Sequence, residues 1–155
     1  MIRENASARI LVVDDEIHIQ HMLRTCLTIE GYTVTTARNG LDALHTLAET
    51  DFDMVLMDVR MPGMDGLTAA TFLRQCEQGG QHRPPGHADL ARCLSARRAG
   101  SRIPVVGITG HIHDGDIAAQ AGMDHLITKP FDLDELFLLI QRLCGERRTV
   151  PLPES

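Results

Sequence analysis

The chain has 155 residues, of which 43% are hydrophobic and 23% are charged. This length and composition predict one soluble globular domain with its own core. A net charge of −6, without any run of basic residues, argues against direct binding to nucleic acid. The N-terminus lacks the apolar core of a signal peptide, and no segment is as apolar as a membrane span. The four scattered cysteines predict free thiols in a reducing compartment, so we expect a cytoplasmic protein without membrane contact.

Short apolar, β-branched runs alternate with amphipathic segments, a pattern typical of βα units around a parallel sheet. The predicted strands are 10–13, 32–37, 53–57, 103–108 and 125–127. The predicted main helices are 17–30, 41–48, 65–78, 114–121 and 132–144. Because parallel strands are joined by right-handed crossovers, the best topology is an open, doubly wound α/β fold with helices on both faces of a five-stranded parallel sheet.

The alternation breaks after the third main helix, where glycine and proline pairs bracket a stretch that no ordinary helix crosses. Residues 88–98 beyond it predict a short helix with Leu90, Cys93 and Leu94 on one face. The arginines of this segment, Arg98 among them, are predicted to lie largely away from that face.

Polar side chains follow four of the five predicted strands. Asp14 and Asp15 follow the first strand, Asp58 the third, Thr109 the fourth, and Lys129, the only lysine, the fifth. An Asp at such a junction is usually just a helix N-cap, but here all these strand ends meet at the edge where parallel sheets bind ligands. Clustered carboxylates need a cation and suit Mg²⁺, while an ammonium and a hydroxyl suit phosphoryl oxygens.

Five motifs, in their order along the chain, resemble the receiver domain of two-component response regulators, including receivers that come from or work with hybrid histidine kinases. They are ILVVDDE (10–16), MVLMDVRMPGMDGL (54–67), VVGITG (105–110), AGMD (121–124) and ITKPF (127–131). The resemblance implies a flavodoxin-like fold with the receiver domain at 9–144. The ends of the chain, 1–8 and 145–155, are predicted to be flexible.

The resemblance also implies a role for each polar residue. Asp58 would be the phosphoacceptor of a His-Asp phosphorelay, receiving its phosphoryl group from a histidine kinase or histidine phosphotransfer protein. Asp14, Asp15 and Asp58, with the backbone carbonyl of Arg60, would hold Mg²⁺. Lys129 would pair with Asp58 and then with phosphoryl oxygens, and the peptide bond after it would be cis.

Thr109 would hydrogen-bond the phosphoryl group and draw its loop inward. This movement would switch the surface of helix 4, strand 5 and helix 5 of the family, here 114–144, for a downstream protein partner or for dimerisation. The chain would then be no enzyme, although it would assist its own phosphorylation and dephosphorylation. The alternative is a receiver-like docking module that acts without phosphorylation. A phosphatase of the haloacid dehalogenase type is disfavoured because the first strand lacks its Asp-x-Asp.

Three departures from the family pattern matter. Leu126 stands where Tyr, Phe or His usually couples to the threonine, so we do not expect the aromatic version of the switch. Arg60 and His111, each two residues beyond a site residue, are predicted to tune the lifetime of the phosphoryl group. His111 with His113 is better explained as part of a solvated loop than as a metal pair.

The third departure is an insertion at 76–101, which makes this region roughly twenty residues longer than the family pattern. Because it connects a helix to the start of a strand, we expect it at the sheet edge opposite the phosphorylation site. It could be a partner-docking helix, although a tolerated surface insertion is the simpler interpretation. The spacing of His82, His87 and Cys93 fits no zinc site.

Overall fold

The computed structural model describes residues 8–79 and 86–144 in full and residues 145–148 as backbone. In this part of the chain, five parallel strands form one sheet in the order β2-β1-β3-β4-β5. The predicted doubly wound, flavodoxin-like α/β fold is therefore confirmed. The elements in chain order are β1 (Arg9–Val13), α1 (Ile17–Ile29), β2 (Thr33–Ala37), α2 (Gly40–Glu49), β3 (Met54–Asp58), α3 (Gly66–Glu77), α4 (Ala88–Arg98), β4 (Val105–Thr109), a 3₁₀ turn (Ile112–Asp114), α5 (Gly115–Gln120), β5 (His125–Thr128) and α6 (Leu133–Arg148).

The strands in the middle of the sheet are covered on both faces, which is why they are continuous apolar runs in the sequence. Every residue of β3 and β4 is buried. Successive strand residues point to opposite faces, so Leu11 and Val13 join one core cluster while Ile10 and Val12 join the other. The first cluster packs under α2, α3, α4 and α5, and the second under α1 and α6.

Side-chain caps fix the start of two helices that the sequence predicted. The Asn39 side chain accepts a hydrogen bond from the Asp42 amide at 2.9 Å, and the Asp65 side chain accepts one from the Thr68 amide at the same distance. The last helix, α6, continues four residues past its predicted end, to Arg148. The rest of the two predicted flexible ends, 1–7 and 149–155, lies outside the described residues. None of the described helices has the length and apolar character to cross a membrane.

The inserted helix α4 is part of the domain core and more than a surface insertion. Leu90, Ala91 and Leu94 are buried in the same cluster as residues of α2 and α3. At its C-terminal end, Arg97 donates to the Ala48 carbonyl at 3.0 Å, and the Gly100 amide donates to the Glu77 carbonyl at 2.8 Å. These contacts hold that end near the amino ends of the strands, the edge opposite the predicted site.

The predicted faces of α4 are wrong at two positions. Cys93 is exposed and Arg98 is buried. The reason is helical geometry: Leu90, Ala91, Leu94 and Arg98 lie within about 100° of one another around the helix axis, and Cys93 lies outside this stripe. The guanidinium of Arg98 is 3.8 Å from the Asp51 carboxylate, which supplies a counter-charge for its burial.

Candidate functional site

The sheet register brings the predicted site residues to one edge. Val13, next to Asp14, pairs with Met57, next to Asp58. Asp58 pairs with Ile108, beside Thr109, and Thr109 pairs with the residue before Lys129. All of these positions are carboxyl ends of adjacent parallel strands, the edge where the sequence placed a ligand site. The tight start of α3 shapes this edge, since a Cβ on Gly66 would clash with the Asp58 carbonyl oxygen.

Three carboxylates form a compact acidic cluster. Asp14, Asp15 and Asp58 each offer one oxygen, and these oxygens lie within 4.8 Å of one another. The side chains of Asp14 and Asp58 are only 2% and 9% exposed, whereas Asp15 is open to solvent. Burial raises the pKa of both Asp14 and Asp58, and repulsion from neighbouring carboxylates raises it further.

This cluster fits a hard divalent cation. The buried Oδ2 of Asp14 accepts no hydrogen bond and has only the Lys129 ammonium, 3.6 Å away, as a partner, so it can also bind a metal ion. The donor set consists of carboxylate oxygens with one side open to solvent, which matches the preference of Mg²⁺ for oxygen ligands and retained waters. The acidic pocket therefore fits Mg²⁺.

Lys129 supplies the positive charge of the site. Its Nζ is 3.4 Å from Asp58 Oδ2 and 3.6 Å from Asp14 Oδ2. Burial by itself lowers the pKa of Lys129, but the attraction of Asp14 and Asp58 outweighs it and raises the pKa. The ammonium is thus held charged between the two inner carboxylates. Its backbone is fixed by a 2.6 Å hydrogen bond from the Lys129 amide to the Thr109 carbonyl, and the Lys129–Pro130 peptide bond is cis, as predicted.

Gln20 binds the backbone at the acidic cluster and was not predicted as a site residue. Its buried amide nitrogen donates to the backbone carbonyls of Asp14 and Ala37, at 2.5 and 3.1 Å. The side-chain oxygen of Asp14 in turn accepts a hydrogen bond from the Glu16 amide at 2.9 Å. A polar residue three positions before Leu23, inside the apolar stripe of α1, is the sequence signal that pointed to such a role.

Asp114 is the second residue that the sequence analysis missed. The Thr109 hydroxyl donates to Asp114 Oδ2 at 2.6 Å, and Arg60 Nη2 donates to Asp114 Oδ1 at 2.7 Å. The hydrogen bond from Thr109, followed by the contact with Arg60, lowers the pKa of Asp114 despite its burial. An Asp at a predicted helix start is ordinarily a cap, so sequence alone gave no reason to link it to Thr109.

The remaining sequence predictions lie around this centre. The Arg60 amide donates to Asp58 Oδ1 at 3.3 Å, which keeps the backbone of Arg60 against the cluster. Leu126 is half-buried and packs against the core cluster near Gly107. His111 and His113 are both exposed. Within the described residues, the acidic cluster is the only group of three or more metal-ligating side chains, and His82 lies outside them.

The chain resembles known proteins over most of its length. A model of the response regulator receiver domain matches residues 10–82. The regulatory protein AtoC of Escherichia coli (strain K12) is 36% identical over 136 residues, which are 86% of this chain and 24% of AtoC. The chain thus spans about a quarter of that relative.

Solved structures match along nearly their whole length. The response regulator TrrA of Thermotoga maritima, crystallised in complex with Mg²⁺-BeF, is 30% identical, with a TM-score of 0.67 over 88% of this chain and 98% of TrrA. The receiver domain of the sensor histidine kinase PA1611 of Pseudomonas aeruginosa PAO1, with a magnesium ion in its active site cleft, is 27% identical. Its TM-score is 0.68, over 90% of this chain and 98% of that domain.

Proposed function

Because the chain belongs to the receiver-domain family of two-component response regulators, we propose that Asp58 accepts a phosphoryl group from a histidine kinase or histidine phosphotransfer protein. The observation that carries the proposal is the pairing of Lys129 with two buried carboxylates at the open edge of the sheet. With three carboxylates and one ammonium, this crevice can accept a further anion only if a cation joins it, and a phosphoryl group bound together with Mg²⁺ meets that condition.

Mg²⁺ is proposed to bind the carboxylates of Asp14, Asp15 and Asp58, together with the backbone carbonyl of Arg60. The Oδ2 of Asp14, which accepts no hydrogen bond, and the approach of the three carboxylates within 4.8 Å support this ligand set. When bound there, Mg²⁺ neutralises negative charge on the transferring phosphoryl group. TrrA and the PA1611 receiver, both crystallised with the same metal, lend further support.

The chemistry of the chain itself is nucleophilic. A carboxylate oxygen of Asp58 attacks phosphorus, the P–N bond to the donor histidine breaks, and the imidazole leaves with the bonding electron pair. Lys129 first holds the Asp58 carboxylate and then pairs with a phosphoryl oxygen. Thr109 donates its hydroxyl to another phosphoryl oxygen. The chain thereby assists its own phosphorylation, and later its own dephosphorylation, without turning over an external substrate.

We propose that phosphorylation of Asp58 is communicated to other proteins through the surface of α5, β5 and α6, the elements that follow Thr109 in the chain. Exposed apolar side chains in these elements and in the 3₁₀ turn before α5 support a role in protein contacts: Ile112, Ile117 and Leu138 are 72%, 41% and 66% exposed. The partner would be a downstream protein or a second copy of the chain. A cytoplasmic location fits a receiver that meets a histidine kinase or phosphotransfer protein.

The experiment that tests this function is intact mass spectrometry after incubation with acetyl phosphate and Mg²⁺. The protein is expected to gain one phosphoryl group, and Asp58→Asn is expected to gain none. Asp116→Asn, which removes an exposed carboxylate of α5, serves as the matched control and is expected to react like the wild type. An unchanged mass under conditions that phosphorylate another receiver would favour the docking module that acts without phosphate.

A further inference from the structure

The hydroxyl of Thr109 is already occupied in this structure. Thr109 and Asp114 are both almost completely buried, and the Thr109 Oγ1 to Asp114 Oδ2 distance is 2.6 Å. A threonine hydroxyl has one hydrogen to donate, so it cannot serve the Asp114 carboxylate and a phosphoryl group on Asp58 at the same time. The His111 amide donates to the same hydroxyl oxygen at 3.1 Å and further fixes its orientation.

Helix capping does not explain the burial of Asp114. Its side chain makes no capping hydrogen bond to α5, although it stands at the start of that helix. Its two oxygens instead bind side chains from two different segments: Thr109, the last residue of β4, and Arg60, in the loop after β3. A buried carboxylate needs such partners, and both of these lie next to Asp58: the Arg60 amide donates to Asp58, and Thr109 follows the strand partner of Asp58, Ile108.

We propose that Asp114 is a positioning residue that holds Thr109 in the unphosphorylated arrangement, and that phosphorylation of Asp58 must displace this hydrogen bond. The inference rests on the proposed function, because it names what opposes the switch of the same site. Asp114 remains bound to Arg60 when Thr109 leaves, so the carboxylate is not stranded without a partner. Leu126 occupies the position where an aromatic side chain usually couples to the threonine. Here the restraint on the switch is instead the competition between Asp114 and the phosphoryl group for the Thr109 hydroxyl.

The test is a calorimetric titration with fluoroberyllate and Mg²⁺, the phosphoryl mimic carried by TrrA. Removing the competing acceptor in Asp114→Ala is expected to tighten binding about tenfold, since a hydrogen bond to a charged group is worth roughly that ratio or more. Asp116→Ala is the matched control because it removes an exposed carboxylate two residues away. It is expected to leave the affinity within about twofold, as screened surface charges do.

The Thr109→Val variant distinguishes a positioning role of Asp114 from the simple removal of its charge. In Thr109→Val, Asp114→Ala is expected to have no effect, because no hydroxyl remains to be released. Equal affinities for Asp114→Ala and Asp116→Ala, or a gain that persists in Thr109→Val, would overturn the inference. Asp114→Asn, which keeps the shape and a weaker neutral acceptor, should give a smaller gain of the same sign.

Two controls distinguish a positioning role of Asp114 from a structural one, and a failure of the inference from a failure of the proposed function. Thermal unfolding of each variant is measured beside the titration, because a merely structural role of Asp114 would lower stability without tightening fluoroberyllate binding. Asp58→Asn is expected to abolish binding. If the wild type itself does not bind the mimic, the proposed function fails. If the wild type binds but the Asp114 variants match their controls, only the role of Asp114 fails.

Discussion

At the scale of single residues, burial is the dominant influence on the inner carboxylates of the site. It raises the pKa of Asp14 and Asp58, and only Lys129 and backbone hydrogen bonds oppose the effect. The folded, metal-free protein therefore holds protons on these groups that the unfolded chain has already released. Stability falls with rising pH wherever the folded state binds more protons than the unfolded state, so the direction of this pH dependence can be measured.

We predict that metal-free protein loses stability as the pH rises from about 4, the usual carboxyl pKa, through the raised pKa values of Asp14 and Asp58. Thermal unfolding in a chelator between pH 4.5 and 7 measures this slope, and Mg²⁺ is expected to reduce it by pairing with the ionised cluster. Asp58→Asn should flatten the slope and make the metal-free protein more stable than the wild type at pH 7, because it removes a buried group that must ionise. An Asp58→Asn protein with an unchanged slope would show that burial is not what controls this group.

At the scale of secondary-structure elements, one buried arginine joins α3 to the loops around β4 and β5. Arg74 Nη1 donates to Glu77 at 2.7 Å and to the Ile103 carbonyl at 2.8 Å. Its Nη2 donates to Asp124 at 2.8 Å, and its Nε donates to the Gly122 carbonyl at 2.9 Å. The side chains of Arg74 and Glu77 are only 7% and 3% exposed, so this arginine serves as a buried junction between elements.

We predict that Arg74→Ala destabilises the fold by about 3–5 kcal/mol, because it leaves the Glu77 carboxylate buried without its ion-pair partner. Chemical denaturation measures the free energy of unfolding. Arg102→Ala is the control: Arg102 contacts the same Asp124 at 2.7 Å but is 56% exposed, so its loss should cost less than about 1 kcal/mol. Similar costs for both variants would contradict the junction role.

The inserted helix gives a second prediction at this scale. Leu94 is fully buried in the core cluster, so Leu94→Ala is expected to cost about 2–5 kcal/mol of unfolding free energy. Its neighbour Cys93 is exposed, and Cys93→Ala should stay within about 0.5 kcal/mol of the wild type in the same denaturation experiment. A Leu94→Ala protein as stable as Cys93→Ala would mean that α4 is a loosely attached addition.

The periodicity of the sequence was enough to predict the elements, because buried strands and amphipathic helices leave patterns within their own residues. It was not enough for Arg98 or Asp114. Whether Arg98 is buried depends on how α4 rotates against α2 and α3. Asp114 has one partner at the end of β4, Thr109, and another in the distant loop after β3, Arg60. For Gln20, the sequence shows a polar residue inside an apolar stripe, but it could not predict which backbone carbonyls the side chain would bind.

At the scale of the whole molecule, the parallel sheet explains why residues so far apart in sequence form one site. Asp14, Asp58, Thr109 and Lys129 belong to four strand ends, and the registers of β1, β3, β4 and β5 bring them together. The polar residues that follow four of the predicted strands therefore predicted a single crevice before any contact was known. The described part of the insertion, by contrast, adds buried residues of α4 to the core and is held at the other edge of the sheet by the Gly100 to Glu77 hydrogen bond.

The measurement that tests the account most directly is the position of the phosphoryl group. After reaction with acetyl phosphate and Mg²⁺, borohydride reduces an aspartyl phosphate to homoserine, which tandem mass spectrometry locates in the tryptic peptide 39–60. This peptide also contains Asp42, Asp51 and Asp53, so it carries its own internal controls. We expect homoserine at position 58 alone, and only when Mg²⁺ was present. Reduction at another aspartate, or equal labelling without the metal, would contradict it.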